Sequence, residues 1–80
     1  MLIPEQIRAA RAALGWSAAD LAKESGLSLR TIQALENSEN LETTRKSSLL
    51  ALRFTLESAG IEFIGGPEDR PGIRIGKPRQ

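Results

Sequence analysis

Eleven cations and ten carboxylates carry most of the reactive chemistry of this 80-residue sequence, which has no His, no Cys and no Tyr. Zinc sites built from imidazole and thiolate are therefore excluded. So are disulfides, thiolate catalysis and serine–histidine pairs. Acid–base catalysis would fall to carboxylates and lysines alone. The one adjacent acidic pair, Glu68-Asp69, lies in a Pro/Gly-rich stretch with no partner group in view. The residue set implies no enzyme and calls for no cofactor or metal. What remains is the chemistry of charge and hydrogen bonding. Ser28, Arg30, Thr31, Gln33 and Asn37 cluster within ten residues, and Arg45-Lys46 follow as adjacent cations.

Charge alone does not name a partner. Residues 1–37 balance Arg8, Arg11, Lys23 and Arg30 against Glu5, Asp20, Glu24 and Glu36, and the whole chain is +1. A nucleic-acid binder must then rely on where its charges sit. The apolar fraction of 40 % and charged fraction of 26 % fit one small globular domain. With only Trp16, Phe54 and Phe63 as aromatics, the core must be aliphatic and alanine-rich, which favours helices. The longest apolar run, Leu49 to Leu52, is far short of the roughly 20 residues of a membrane span. The N-terminus lacks the basic and apolar regions of a signal peptide. A cytoplasmic protein with no membrane partner is expected.

The elements that position these side chains are mostly helical. Pro4 suits a first helical position, and Ile3, Ile7, Ala10 and Leu14 share one face, so a helix is expected from Pro4 to Leu14, closed by Gly15. Ser17 with Asp20 forms a capping box for a second helix, Ala18 to Ser25, ended by Gly26. Trp16, just before the cap, is placed to staple onto Leu21. Ser28 caps a third helix, Leu29 to Asn37, with Ile32 and Leu35 facing in. The short Ser25-Gly26-Leu27-Ser28 connection requires a steep crossing of the second and third helices, as in a helix-turn-helix. Thr43 or Thr44 caps a fourth helix running to Ala59. It carries two apolar stripes, Leu49-Leu52-Leu56-Ala59 and Leu50-Phe54, about 140° apart at the helical period. Ile61–Ile64 and Gly72–Ile75 then alternate as two short strands of a hairpin.

Residues 7–37 resemble the Cro- and phage-repressor-like (XRE-type) helix-turn-helix family. The resemblance rests on Ala12 to Ala22, on the turn Ser25 to Ser28, and on Thr31 to Asn37. Ala22 stands at the small position inside the second helix, Gly26 in the turn, and Leu21, Ile32 and Leu35 at buried positions. It implies a mainly α, compact four-helix repressor-like DNA-binding domain over residues 1–60. A short C-terminal β-hairpin follows over 61–76 as part of the same unit, and then a loose tail, 77–80.

The resemblance also implies a site. Its third helix enters the major groove of double-stranded DNA. Base readout then falls to Ser28, Leu29, Arg30, Gln33 and Ala34, with Arg30 suited to guanine and Gln33 to adenine. Phosphate contacts fall to Ser17, Thr31, Asn37, Arg45 and Lys46. Cations in the first turn of a helix oppose its dipole, and a phosphate reverses that penalty for Arg45 and Lys46. Related repressors commonly place Gln after the second-helix cap as a phosphate clamp, whereas this chain has Ala18. Arg11 and Glu36 occupy the positions of an ion pair joining the first and third helices, which orients Asn37.

The surplus apolar stripe needs a cover. One arrangement is a homodimer built on Leu50, Phe54, Ile61, Phe63, Ile73 and Ile75, with a strand of each hairpin pairing across the axis. The alternative is a monomer whose hairpin folds back over Leu50 and Phe54. The functional expectation is a sequence-specific transcriptional regulator, a repressor, acting as a homodimer and associated with the nucleoid when bound. The alternative is an antitoxin-like module on the same fold, whose hairpin binds a toxin-like protein and whose DNA binding is secondary.

Overall fold

The computed structural model describes residues 2–37 and 46–76. Within them the chain forms α1 (Pro4–Leu14), α2 (Ala18–Ser25), α3 (Leu29–Asn37), α4 (Lys46–Ser58), β1 (Ile61–Ile64) and β2 (Gly72–Ile75). The first three helices and both strands keep the bounds expected from sequence. Helix α4 ends one residue early, and its expected cap at Thr43 or Thr44, together with Arg45, lies outside the described residues. So does the tail, 77–80.

The helix ends follow from local chemistry. Gly15 (φ 70°) and Gly26 (φ 77°) take the left-handed conformation at the ends of α1 and α2, where a side chain would be strained. At the start of α2 the Ser17 hydroxyl accepts from the Asp20 N–H at 3.0 Å, and the Ser17 N–H donates to the Asp20 carboxylate at 2.9 Å. The expected capping box is therefore closed.

One aliphatic core serves all six elements. Ile7 and Ala10 of α1, Leu21 of α2, Ile32 and Leu35 of α3, Leu52 and Leu56 of α4, and Ile61 of β1 are buried in it together with Leu2. Trp16, Ala22, Leu27, Leu49, Phe63 and Ile73 are half-buried against it. Helix α3 packs on both α1 and α2, while α4 packs on α2 and β1. Burying side chains of this size contributes about 1.5–3 kcal/mol each.

The hairpin is antiparallel, pairing Ile61 with Ile75 and Ile64 with Gly72. It lies on α4 through β1 and on α1 through β2. Arg53 of α4 sits over the Phe63 ring, 5.8 Å from its centroid, and is itself paired with Glu57 at 3.1 Å. Ile61 is 1 % exposed and belongs to the chain's own core. Phe63 and Ile73 likewise pack inward. The hairpin also does not fold back over Leu50 and Phe54, which stay 57 % and 72 % exposed.

Candidate nucleic-acid interface

Helix α3 is divided cleanly into two faces. Ile32, Leu35 and Glu36 are buried, while Leu29, Arg30, Gln33, Ala34 and Asn37 are exposed. The division follows from 3.6-residue periodicity: once Ile32 and Leu35 enter the core, the others must point out. Leu29 is 42 % exposed, so it projects an apolar group from the first turn instead of packing away. Arg30 is exposed and has no hydrogen-bond or ion-pair partner among the described residues.

Ser28 and Thr31 are partly committed. The Ser28 hydroxyl accepts from the Thr31 N–H at 3.1 Å and pairs with the Thr31 hydroxyl at 2.9 Å. Both serve the start of α3 as its cap, and Thr31 is half-buried. Asn37 is exposed and donates from Nδ2 to the Gln33 carbonyl at 2.7 Å.

The start of α2 offers less to an anion than its cap suggests. Ser17 and Asp20 satisfy each other's N–H groups, which leaves Ala18 and Ala19 as the unpaired donors of that turn. Asp20 also brings a negative charge to that end. Its carboxyl is held below its ordinary value of 3.8, first by the Ser17 N–H and then by the Ser17 hydroxyl. Lys46 is exposed at the start of α4 as described.

The back of α3 is held by α1. Arg11 grips Glu36 with two parallel bonds, Nε to Oε2 at 2.9 Å and Nη2 to Oε1 at 3.0 Å, and its Nη1 donates to the Trp16 carbonyl at 3.1 Å. The Glu36 side chain is only 7 % exposed, so its charge needs this fork. The ion pair between the first and third helices is therefore present.

Two residues were not singled out from sequence. Arg8 donates from Nη1 to the Glu36 carbonyl. Gln6, 2 % exposed, accepts the Ile3 N–H at 3.0 Å and donates to the carbonyls of Ile64 at 3.2 Å and Gly72 at 2.9 Å. Ile64 and Gly72 are cross-strand partners, so one carboxamide ties both strands to α1. The signal for Gln6 lay in the helical pattern. It falls on the Ile3-Ile7-Ala10 face, where a polar residue must find partners or stay unpaired. Arg8 gave no such signal, because an exposed arginine is the default on a solvated face.

Beyond α3 lies an apolar surface. A shallow groove lined by Trp16, Glu24, Phe54, Thr55, Ser58 and Ala59 runs between α2 and α4. Phe54 forms part of its wall, and Leu50 lies one turn away on the same helix. No three acidic side chains gather as a metal site among the described residues. No described helix is long and apolar enough to cross a membrane.

A family model described as helix-turn-helix matches residues 7–51, more than half of the chain, from α1 into α4. No curated protein matches the sequence.

Proposed function

Because the chain belongs to the Cro- and phage-repressor-like (XRE-type) helix-turn-helix family of DNA-binding regulators, we propose that it reads a specific duplex through α3 and represses transcription there as a homodimer. The observation that carries this reading is the exposed face of α3. Arg30 and Gln33 present forked donors and an amide, flanked by the apolar Leu29 and the small Ala34. That composition suits base edges better than bulk phosphate. Arg30 can pair bidentately with guanine O6 and N7, and Gln33 with adenine N6 and N7. Lys46, Asn37 and the N–H groups opening α2 flank this face as backbone contacts, which fix register but carry no sequence information.

A near-neutral domain with one helix in one groove binds weakly. Two copies related by a two-fold axis would place two α3 helices on half-sites about 34 Å apart. Leu50 and Phe54 are the residues proposed to meet across that axis. In this arrangement residues 1–60 read DNA, and 61–76 complete the same unit.

The test is selection of bound duplexes from a random pool, followed by titration at two salt concentrations. A palindromic site should emerge, and Arg30→Ala should weaken its binding by about 5- to 150-fold, the equivalent of roughly 1–3 kcal/mol. Sequence-blind binding, steeply dependent on salt and indifferent to Arg30→Ala, would overturn the reading.

A second reading draws on the exposure of Phe54 beside the α2–α4 groove. That surface fits an antitoxin-like module, in which a protein partner covers it and DNA binding serves autoregulation. Light scattering of the purified chain separates the two. A monomer that keeps Phe54 uncovered favours the second reading, and a two-fold mass favours the first.

A further inference from the structure

We propose that Arg8 is a positioning residue for DNA recognition, setting the angle at which the exposed face of α3 meets the duplex. The inference rests on the reading of α3 as the base-reading helix.

Helices α1 and α2 end on left-handed glycines whose N–H groups turn back to the helix carbonyls. The three residues after α3, Ser38-Glu39-Asn40, include no glycine. The last four carbonyls of a helix have no intrahelical donor. In α3 one of them, the Glu36 carbonyl, is served from outside by Arg8. A guanidinium at this place also complements the negative end of the helix dipole.

Glu36 is thereby held twice. Arg11 fixes its carboxylate with two parallel bonds, and Arg8 fixes its main chain. Arg8 and Arg11 lie three residues apart on α1, hence on neighbouring turns of one face. Core packing through Ile32 and Leu35 seats α3 on α1 and α2, and the Arg11 fork holds the Glu36 side chain, so what remains to be set is the fine angle of the helix's C-terminal main chain. Adding a main-chain bond on the same residue restrains the helix axis itself. The effect is largest at the far end, where Leu29 and Arg30 lie. A nine-residue helix is about 13 Å long, so a tilt of about 10° at Asn37 moves Leu29 by about 2 Å. That displacement breaks a bidentate contact to a base while leaving looser phosphate contacts intact.

The experiment compares the full chain with Arg8→Met, which keeps the aliphatic stem and removes the donors. Arg8→Lys, which restores an N–H donor, and Arg30→Ala are measured in parallel. Each is followed by thermal melting, duplex selection and titration at two salt concentrations. Arg8→Met should lose about tenfold in affinity for the selected site and broaden its base preference, with the salt dependence unchanged, and Arg8→Lys should recover most of both. A uniform loss across sequences with a salt slope lower by about one would make Arg8 a phosphate contact and overturn the proposal. A lower melting temperature with unchanged base preference would overturn it too, leaving Arg8 as a stabilising residue only. If Arg30→Ala changes neither affinity nor preference, the reading of α3 itself fails, and that result is separate from any effect of Arg8.

Discussion

The three N-terminal helices and the C-terminal part of the chain use their apolar residues in opposite ways. In α1 to α3 the large aliphatics that face inward (Ile7, Leu21, Ile32, Leu35) are spent on the core, and of the large apolar residues there only Leu29 stands out into solvent. In α4 and the hairpin, Leu52, Leu56 and Ile61 are equally buried, yet Leu50, Phe54 and Ile75 stand 57 %, 72 % and 67 % exposed. An 80-residue chain has a thin core and little apolar surface to spare. The N-terminal helices thus keep their large apolar residues inside, Leu29 excepted, and present polar chemistry outward. The C-terminal region packs on its inner side, and its outer side leaves apolar area exposed at Leu50, Phe54 and Ile75.

The sharpest way to break this contrast is to delete apolar bulk in each region. Ile32→Ala should cost about 2–5 kcal/mol, because the side chain is fully buried and the site cannot collapse completely. On a domain whose total stability is about 4–12 kcal/mol, that is a large fraction, visible in a urea titration. Phe54→Ala should stay within about 0.5 kcal/mol of the parent at low protein concentration. If it costs as much as Ile32→Ala, and the cost grows with protein concentration, Phe54 is already covered by another chain, and the contrast describes a subunit.

How far the contrast could be read from sequence differs between the regions as well. Capping at Ser17 and Ser28, glycines at 15 and 26 and the Ile32/Leu35 spacing are local signals, and each is answered in the structure within four residues. The exposed face of α3 was legible because two buried positions determine the rest of a helix. The hairpin was legible as an element but not in its placement. Ile61 and Ile75 are chemically identical and paired across the strands, yet one is buried and the other exposed. Nothing local distinguishes them, since they stand directly opposite each other and project from the same face of the hairpin. Gln6 is the other side of that problem. Its partners lie 58 and 66 residues away, beyond the reach of any local pattern.

Gln6→Met sharpens the comparison, because it removes a polar tie between α1 and both strands of the hairpin while keeping the volume. Two donors to the Ile64 and Gly72 carbonyls are lost, at about 0.5–1.5 kcal/mol each. The cost should be local. Hydrogen exchange should quicken in β1 and β2 while amides of α2 and α3 keep their protection, as expected of separable cooperative units. Equal loss of protection in α3 would show that the two regions unfold as one, and the contrast would then concern surface alone.

The smallest effect is expected at the start of α2, within the N-terminal region. The Asp20 carboxyl is held below 3.8 by the Ser17 N–H and hydroxyl, and the Lys23 ammonium adds to this. A carboxyl whose folded value is depressed stabilises the fold at pH above its unfolded value. That contribution is lost as the pH falls through the folded value. Asp20→Asn should therefore melt slightly lower than the parent at pH 7, and the two melting curves should converge below pH 3.8. Because the carboxyl is fully solvated, added salt should weaken the Lys23 share first and leave the Ser17 hydrogen bonds. A gap that persists unchanged at acid pH would mean that the substitution acts through helix geometry, since a protonated Asp20 and an asparagine carry the same charge.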